Sequence, residues 1–277
     1  PEISNNYLST LPDPAVKSIR SQKNQINMDK KLAQEIKEAY YATISFVDAQ
    51  VGRVLDYLET SGLDQNTIVV LTSDHGFHMG EHGHWQKQTL FDRSTRVPLI
   101  FSGPGIRKGK RSNSPVELID IYPTIMDLTK IQTPEHVVGK SLMPIFNDTN
   151  FKIRNSALTR LNVMQGGGNG YSIKSERYRL TKWGEKGELG YELYDHKNDK
   201  EELINLAENK KYYEVLDSLK KEIDKRITQA RLKPKGLGRQ LEQRTYVRIK
   251  YTPGDIHLSL IHISEPTRPL YISYAVF

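Results

Sequence analysis

Apolar side chains recur at steps of mostly three or four through Ile36, Tyr40, Ile44, Val47, Val51, Val54, Leu55 and Leu58. That is the spacing of one helical face, so a long helix is expected over residues 29–61, closed by Gly62. The period then changes. Ile68 to Leu71 is an unbroken, mostly β-branched run, too short for a helix and expected as a strand buried on both faces of a parallel sheet. A second such run, Val97 to Phe101, precedes Gly103-Pro104-Gly105. Behind Pro115 a further helix is expected over residues 116–129, kinked or broken at Pro123. Helix, strand, loop, strand and helix in that order make an α/β layered domain.

After Gly139 the pattern becomes short aromatic and β-branched runs at residues 156–163, 171–174, 178–183 and 191–194. Glycine-rich stretches separate them, Gly166-Gly167-Gly168 and the segment from Gly184 to Gly190 among them. These predict antiparallel strands. A last helix is expected over residues 211–231, with Val215, Leu216, Leu219, Ile223 and Ile227 on the face that packs across the sheet. The expected division is an α/β layered domain over 1–150, a small α+β unit over 151–231, and a basic tail over 232–257.

Composition changes this picture in three places. The net charge of +7 is concentrated, because residues 229–257 hold seven basic side chains against two acidic ones. Only Tyr246 and Tyr251 interleave with those charges, which fits a solvated tail better than a nucleic-acid surface. No cysteine is present, so the residues given contain neither disulfide nor thiolate chemistry. No apolar run reaches the length of a membrane span. The final stretch, LSLIHISEPTRPLYISYAVF at residues 258–277, resembles a translated sequencing-library adapter and is expected not to be native protein. With Pro1 rather than Met at the start, the chain is expected to begin within a longer one.

The chemistry concentrates behind the first strand. Residues 72–87, TSDHGFHMGEHGHWQK, hold four histidines, two acids, three glycines and a lysine. Ligands of open α/β sheets sit beyond strand ends, where Asp74 offers a hard oxygen and His75 an imidazole nitrogen to one ion. Gly76 would let the chain turn sharply enough for both side chains to reach it.

Further blocks extend this signal. Tyr40-Tyr41-Ala42-Thr43, Val51-Gly52-Arg53-Val54-Leu55, Thr72-Ser73-Asp74-His75-Gly76, Gly80-Glu81-His82-Gly83, Trp85-Gln86-Lys87, Arg96-Val97-Pro98, Tyr171-Ser172-Ile173-Lys174 and Glu192-Leu193-Tyr194-Asp195 occur in that order. Over roughly residues 31–206 the chain resembles the C-terminal portion of the sulfatase family, type I and formylglycine-dependent, and within it the iduronate-2-sulfatase type. The resemblance implies an alkaline-phosphatase/sulfatase-like layered α/β fold, with residues 1–150 the C-terminal part of the catalytic domain. It implies hydrolysis of sulfate esters on sulfated carbohydrate by a formylglycine nucleophile belonging to an N-terminal half, with one divalent cation, usually Ca2+, holding the sulfate. Asp74 and His75 match metal-site positions and Lys87 matches the sulfate-contacting lysine. Without the nucleophile, these residues alone are expected to be inactive. A periplasmic or secreted location is expected from such substrates, and oligomeric state is left open.

Competing readings are specific. His78, His82 and His84 are expected to be loop structure or pocket lining rather than ligands, and Arg93 and Arg96 a solvated face rather than a polyanion groove. His78-Met79-Gly80-Glu81-His82 mimics the H-x-x-E-H pattern of zinc peptidases. That chemistry needs a helix, which three nearby glycines disfavour. Ser264-Glu265-Pro266-Thr267-Arg268 mimics a formylglycine motif but follows the Asp-His-Gly block instead of preceding it. A metal-dependent phosphoesterase or phosphonate hydrolase, and a noncatalytic polyanion-binding module resting on the basic tail, are the alternatives.

Overall fold

A computed structural model describes residues 5–21, 25, 28–163 and 168–232. The basic tail beyond Leu232 and the adapter-like segment lie outside them. Two short helices, α1 (Asn5–Leu8) and α2 (Asp13–Ile19), precede the long helix α3 (Lys30–Thr60). Strand β1 (Val69–Thr72), a one-turn helix α4 (Asp92–Thr95) and strand β2 (Leu99–Ser102) follow, then α5 (Ile121–Leu128) and α6 (Met143–Asn147). Strands β3 (Ala157–Val163), β4 (Gly168–Lys174), β5 (Tyr178–Trp183) and β6 (Gly190–Asp195) lead to the last helix, α7 (Tyr213–Arg231).

The 31 residues of α3 start where Asp29 accepts hydrogen bonds from the amides of Lys31 and Leu32, satisfying donors that a helix start leaves free. They stop at Ser61, before Gly62 at φ 71°. Its expected apolar stripe is not covered: no residue of α3 is buried. Tyr40 stacks on Phe77, ring centroids 5.4 Å apart, and the Lys37 ammonium lies 5.6 Å over the Trp85 ring, so the helix meets the chemistry-bearing loop at two points.

The first two strands depart from expectation. β1 pairs antiparallel with β2, Val69 opposite Ser102 and Thr72 opposite Leu99, and Leu71 and Ile100 are exposed. A four-residue apolar run signals a strand but carries no information about its partner's direction. Pro123 causes no kink, because the regular helix begins only at Ile121 after a 3-10 turn over Leu118–Asp120, and proline is tolerated in a first turn.

The antiparallel expectation holds strand for strand. β3, β4, β5 and β6 lie in sequence order, with Ile173 opposite Leu180 and Leu180 opposite Leu193. Alternation gives the sheet two faces. One packs Leu158, Tyr171, Ile173, Leu180 and Leu193 against Leu216, Ile223 and Ile227 of α7. The other presents Ser172, Lys174, Arg179, Thr181, Glu192 and Tyr194, and is covered in part by α1 and α2, where Tyr7, Leu11, Ala15 and Ile19 cluster with Phe91, Trp183 and Tyr194. The N-terminal helices thus clamp the histidine-rich loop to the C-terminal sheet.

Buried ion pairs reinforce the junction. Asp120 accepts from the amides of Glu117 and Lys140 and from both terminal nitrogens of Arg154. Glu117 in turn accepts from the Leu158 amide and from Arg226 of α7.

Candidate functional site

Beyond the end of β1 the backbone runs through Ser73, Asp74 and His75 into Gly76, whose amide donates to the Ser94 carbonyl at 2.8 Å. The residue must be glycine for want of space rather than for an unusual φ. A Cβ there would collide with the carbonyl of Arg93 and lie 2.9 Å from that of Arg96. The loop then doubles back. The His78 amide donates to the Gln86 carbonyl and the Gly80 amide to the His84 carbonyl, at 2.8 and 2.9 Å, with Gly80 at φ 102° and Gly83 at φ 67° making the turn.

That hairpin-like return sets Lys87 beside His75, with Nζ 2.6 Å from the imidazole Nε2. Nδ1 of His75 lies 2.8 Å from the Gly76 carbonyl. A carbonyl only accepts, so Nδ1 carries the proton and Nε2 presents a lone pair. Oδ2 of Asp74 lies 3.6 Å from the same Nε2, and its side chain is 84% exposed. All three residues that the sequence singles out therefore converge at one open point beyond a strand tip. An oxygen and a nitrogen at that separation can touch a single cation, though a Ca2+ ion takes six to eight ligands and two donors supply only part of its shell.

His78, His82 and His84 turn away from that point. Each is at most 2% exposed. His78 lies between the Glu81 carbonyl and Thr89, His82 contacts the Tyr7 hydroxyl and stacks on Phe91, and His84 reaches the Ile19 carbonyl. Burial holds all three below the usual imidazole range, His78 the furthest, helped by its two imidazole neighbours. Glu81–Gly83 is a single 3-10 turn with His82 at φ 54°, so the zinc-peptidase geometry is absent here.

Two features escape sequence reasoning. Arg179, fully buried, donates to Asp92 at 2.7 Å and to Glu202 at 2.5 Å, and His196 reaches the same Glu202 oxygen at 2.6 Å. Burial alone would raise the Glu202 carboxyl, but the Arg179 charge and the His196 bond hold it down at about 2. Asp92, His196 and Glu202 could together ligate a metal, yet the guanidinium already occupies both carboxylates. The partners lie 87 and 23 residues apart along the chain, and no local pattern announces them. The second feature is a polar cleft of about 1110 Å³ that begins at Gly76 and Phe77 and is bordered by Asp92, Arg93 and Arg96. Arg93 makes two hydrogen bonds to Glu201 across it.

The pattern of the family described as Sulfatase matches residues 6–131, and that described as N-sulphoglucosamine sulphohydrolase, C-terminal, matches residues 80–229. A sulfatase of Formosa agariphila is 37% identical over 187 residues, 68% of this chain and 35% of the relative. A solved 2-O GAG sulfatase superposes with a TM-score of 0.71 at 28% identity, covering 83% of this chain and 52% of its own. The phosphonate monoester hydrolase of Agrobacterium radiobacter superposes at 0.60 with 27% identity, covering 71% and 42%. The chain spans about a third of the length of curated relatives such as the Formosa protein. With two family patterns in register, the fold they share and the α/β layer followed by a sheet and helix, the chain belongs to the sulfatase family.

Proposed function

We propose that this chain is the C-terminal part of an enzyme that hydrolyses sulfate esters on sulfated glycans, with a specificity of the iduronate-2-sulfatase kind. The observation that carries the reading is the convergence of Asp74, His75 and Lys87 at one exposed point. In sulfate-ester hydrolysis the bond between sulfur and the sugar oxygen breaks, water's oxygen ends on sulfur, and the sugar oxygen takes a proton. Negative charge spreads over the peripheral sulfate oxygens on the way, and fixed positive charge there lowers the barrier.

Asp74 and His75 would hold a divalent cation, Ca2+ in this reading, and that ion would supply charge to the sulfate oxygens. Lys87 supplies a second positive charge from the protein itself. Its ammonium engages the Nε2 lone pair that an ion would use, so the two cations compete for one nitrogen. The similarity to a solved 2-O GAG sulfatase supports a glycan substrate. A formylglycine nucleophile belongs to the same reading, as does a periplasmic or secreted location. No helix among the described residues is long and apolar enough to cross a membrane.

The phosphonate hydrolase likeness keeps a phosphorus ester as the second substrate class. Both are decided by assay. The 277-residue chain should not turn over an aryl sulfate, whereas a complete enzyme carrying this segment should. Preference for a phosphonate monoester over the sulfate ester would reverse the assignment. Asp74→Ala in the complete enzyme should abolish turnover and weaken Ca2+ binding.

A further inference from the structure

The cleft that starts at Gly76 holds more positive charge than its own carboxylates neutralise. Its three acidic side chains are already engaged: Glu201 by Arg93, Glu176 by Lys152 at 3.0 Å, and Asp92 by the buried Arg179. Arg96 has only a 3.8 Å approach to Asp92. Arg111, Lys174 and Lys200 line the cleft, and among the described residues no ion pair reaches them.

Lys174 is the telling member. It stands directly opposite Arg179 in the β4–β5 register, a like-charge pair that costs stability unless each charge is compensated. Arg179 has two carboxylates. Among the described residues Lys174 donates to the carbonyls of Ser175 and Glu176, at 2.5 and 3.3 Å, and to no carboxylate, so the Asp92 and Glu202 charges act on it without direct contact. Burial, then the Arg179 charge, lower its pKa to about 8.

We propose that this cleft is a subsite for an anionic substituent of an acidic glycan, a carboxylate or sulfate on a sugar other than the one being cleaved, with Lys174 and Arg111 as its principal contacts. This rests on the sulfate-ester reading and extends it. The volume exceeds that of a pocket for a single small ligand, so more than one sugar fits. Ser112, Asn113, Asn150 and Ser175 on the lining offer hydroxyl and amide partners for sugar hydroxyls. The aromatic rings there are Phe77 and the imidazole of His196, the latter tied to Glu202, too few platforms for stacked bases. The cleft also starts at the residue that follows His75, so its near end is built on the same loop that carries Asp74, His75 and Lys87.

The test is calorimetric titration of the 277-residue chain with an unsulfated disaccharide carrying one uronate carboxylate, a ligand that makes no demand on the sulfate position. Binding is expected, weakening as salt is added. Lys174→Met with Arg111→Ala should weaken it about tenfold or more, while Lys87→Ala leaves it unchanged. The carboxyl-reduced disaccharide should bind wild type no better than the acidic one binds the double variant. The proposal is overturned if wild type shows no binding heat, if the double variant binds like wild type, or if Lys87→Ala abolishes binding. Should circular dichroism show the double variant unfolded, the exposed single changes Arg111→Ala and Lys200→Ala replace it, each expected to weaken binding severalfold. Turnover by the complete enzyme tests the sulfate-ester reading separately, so either can fail alone.

Discussion

The ammonium of Lys87 and Nε2 of His75 lie 2.6 Å apart although twelve residues separate them in the chain, because the loop between them is closed on itself by the bond from the His78 amide to the Gln86 carbonyl. If a cation uses that nitrogen, the ammonium is its competitor. Lys87→Met should therefore tighten Ca2+ binding by about fivefold, the worth of roughly 1 kcal/mol between close charges in water. Asp74→Ala should loosen it. Calorimetric titration reads both, and equal affinity in wild type and Lys87→Met would separate the lysine from the cation site.

Arg179 joins Asp92 to Glu202 within the interior. Arg179→Gln would leave two carboxylates without their counterion, and the loss expected on breaking a buried pair is about 3–5 kcal/mol. Urea denaturation measures it. Adding Glu202→Gln should recover part of the loss, since the two sites share one interaction.

The three buried histidines predict acid sensitivity. Their folded pKa values lie below that of an unfolded imidazole, so the unfolded chain binds protons first as pH falls. Stability is full above about pH 6.5 and declines below it. His84→Gln, keeping a donor for the Ile19 carbonyl, should flatten the decline between pH 6.5 and pH 5 in thermal melts.

Glu192 acts in the opposite direction. It is buried between the Trp183 indole and the Tyr194 hydroxyl, each 2.6 Å from one of its oxygens, and burial raises it to about 7. Its folded form thus keeps a proton that the unfolded chain releases, and stability is lost as pH rises from about 4.5 through 7. Glu192→Gln should stabilise the protein at pH 8, by up to about 3 kcal/mol, and make little difference at pH 4.5. A larger gain at the lower pH would contradict the assignment.

The local patterns carried much of this into the sequence. The step of three or four residues located α3 and α7, and short aromatic and β-branched runs located β3 to β6; in α7 the step records the face that meets the core, whereas the stripe of α3 meets none. The Asp-His pair stood out as a candidate from its place after an apolar run, and Lys87 from its block, and the structure brings the three side chains together. What stayed hidden is relational. The direction of β1 against β2 depends on a partner that four residues cannot specify. Tyr7, Leu11, Ala15 and Ile19 repeat at a helical step of four, a signal that could have found the N-terminal helices, though not their seat against Phe91 and Trp183. The ion pairs around Arg179 and the cleft beside Lys174 arise from segments brought together only by folding.

Along its 31 residues α3 keeps no side chain buried, so a rod of about 46 Å, at 1.5 Å per residue, is held mainly by its own backbone ladder. Its amide protons should exchange with deuterium long before those of β4 and β5, which lie in the interior of the four-stranded sheet. Heated slowly, the chain should lose helical ellipticity first and Trp183 fluorescence last, two steps where a single cooperative transition would show one.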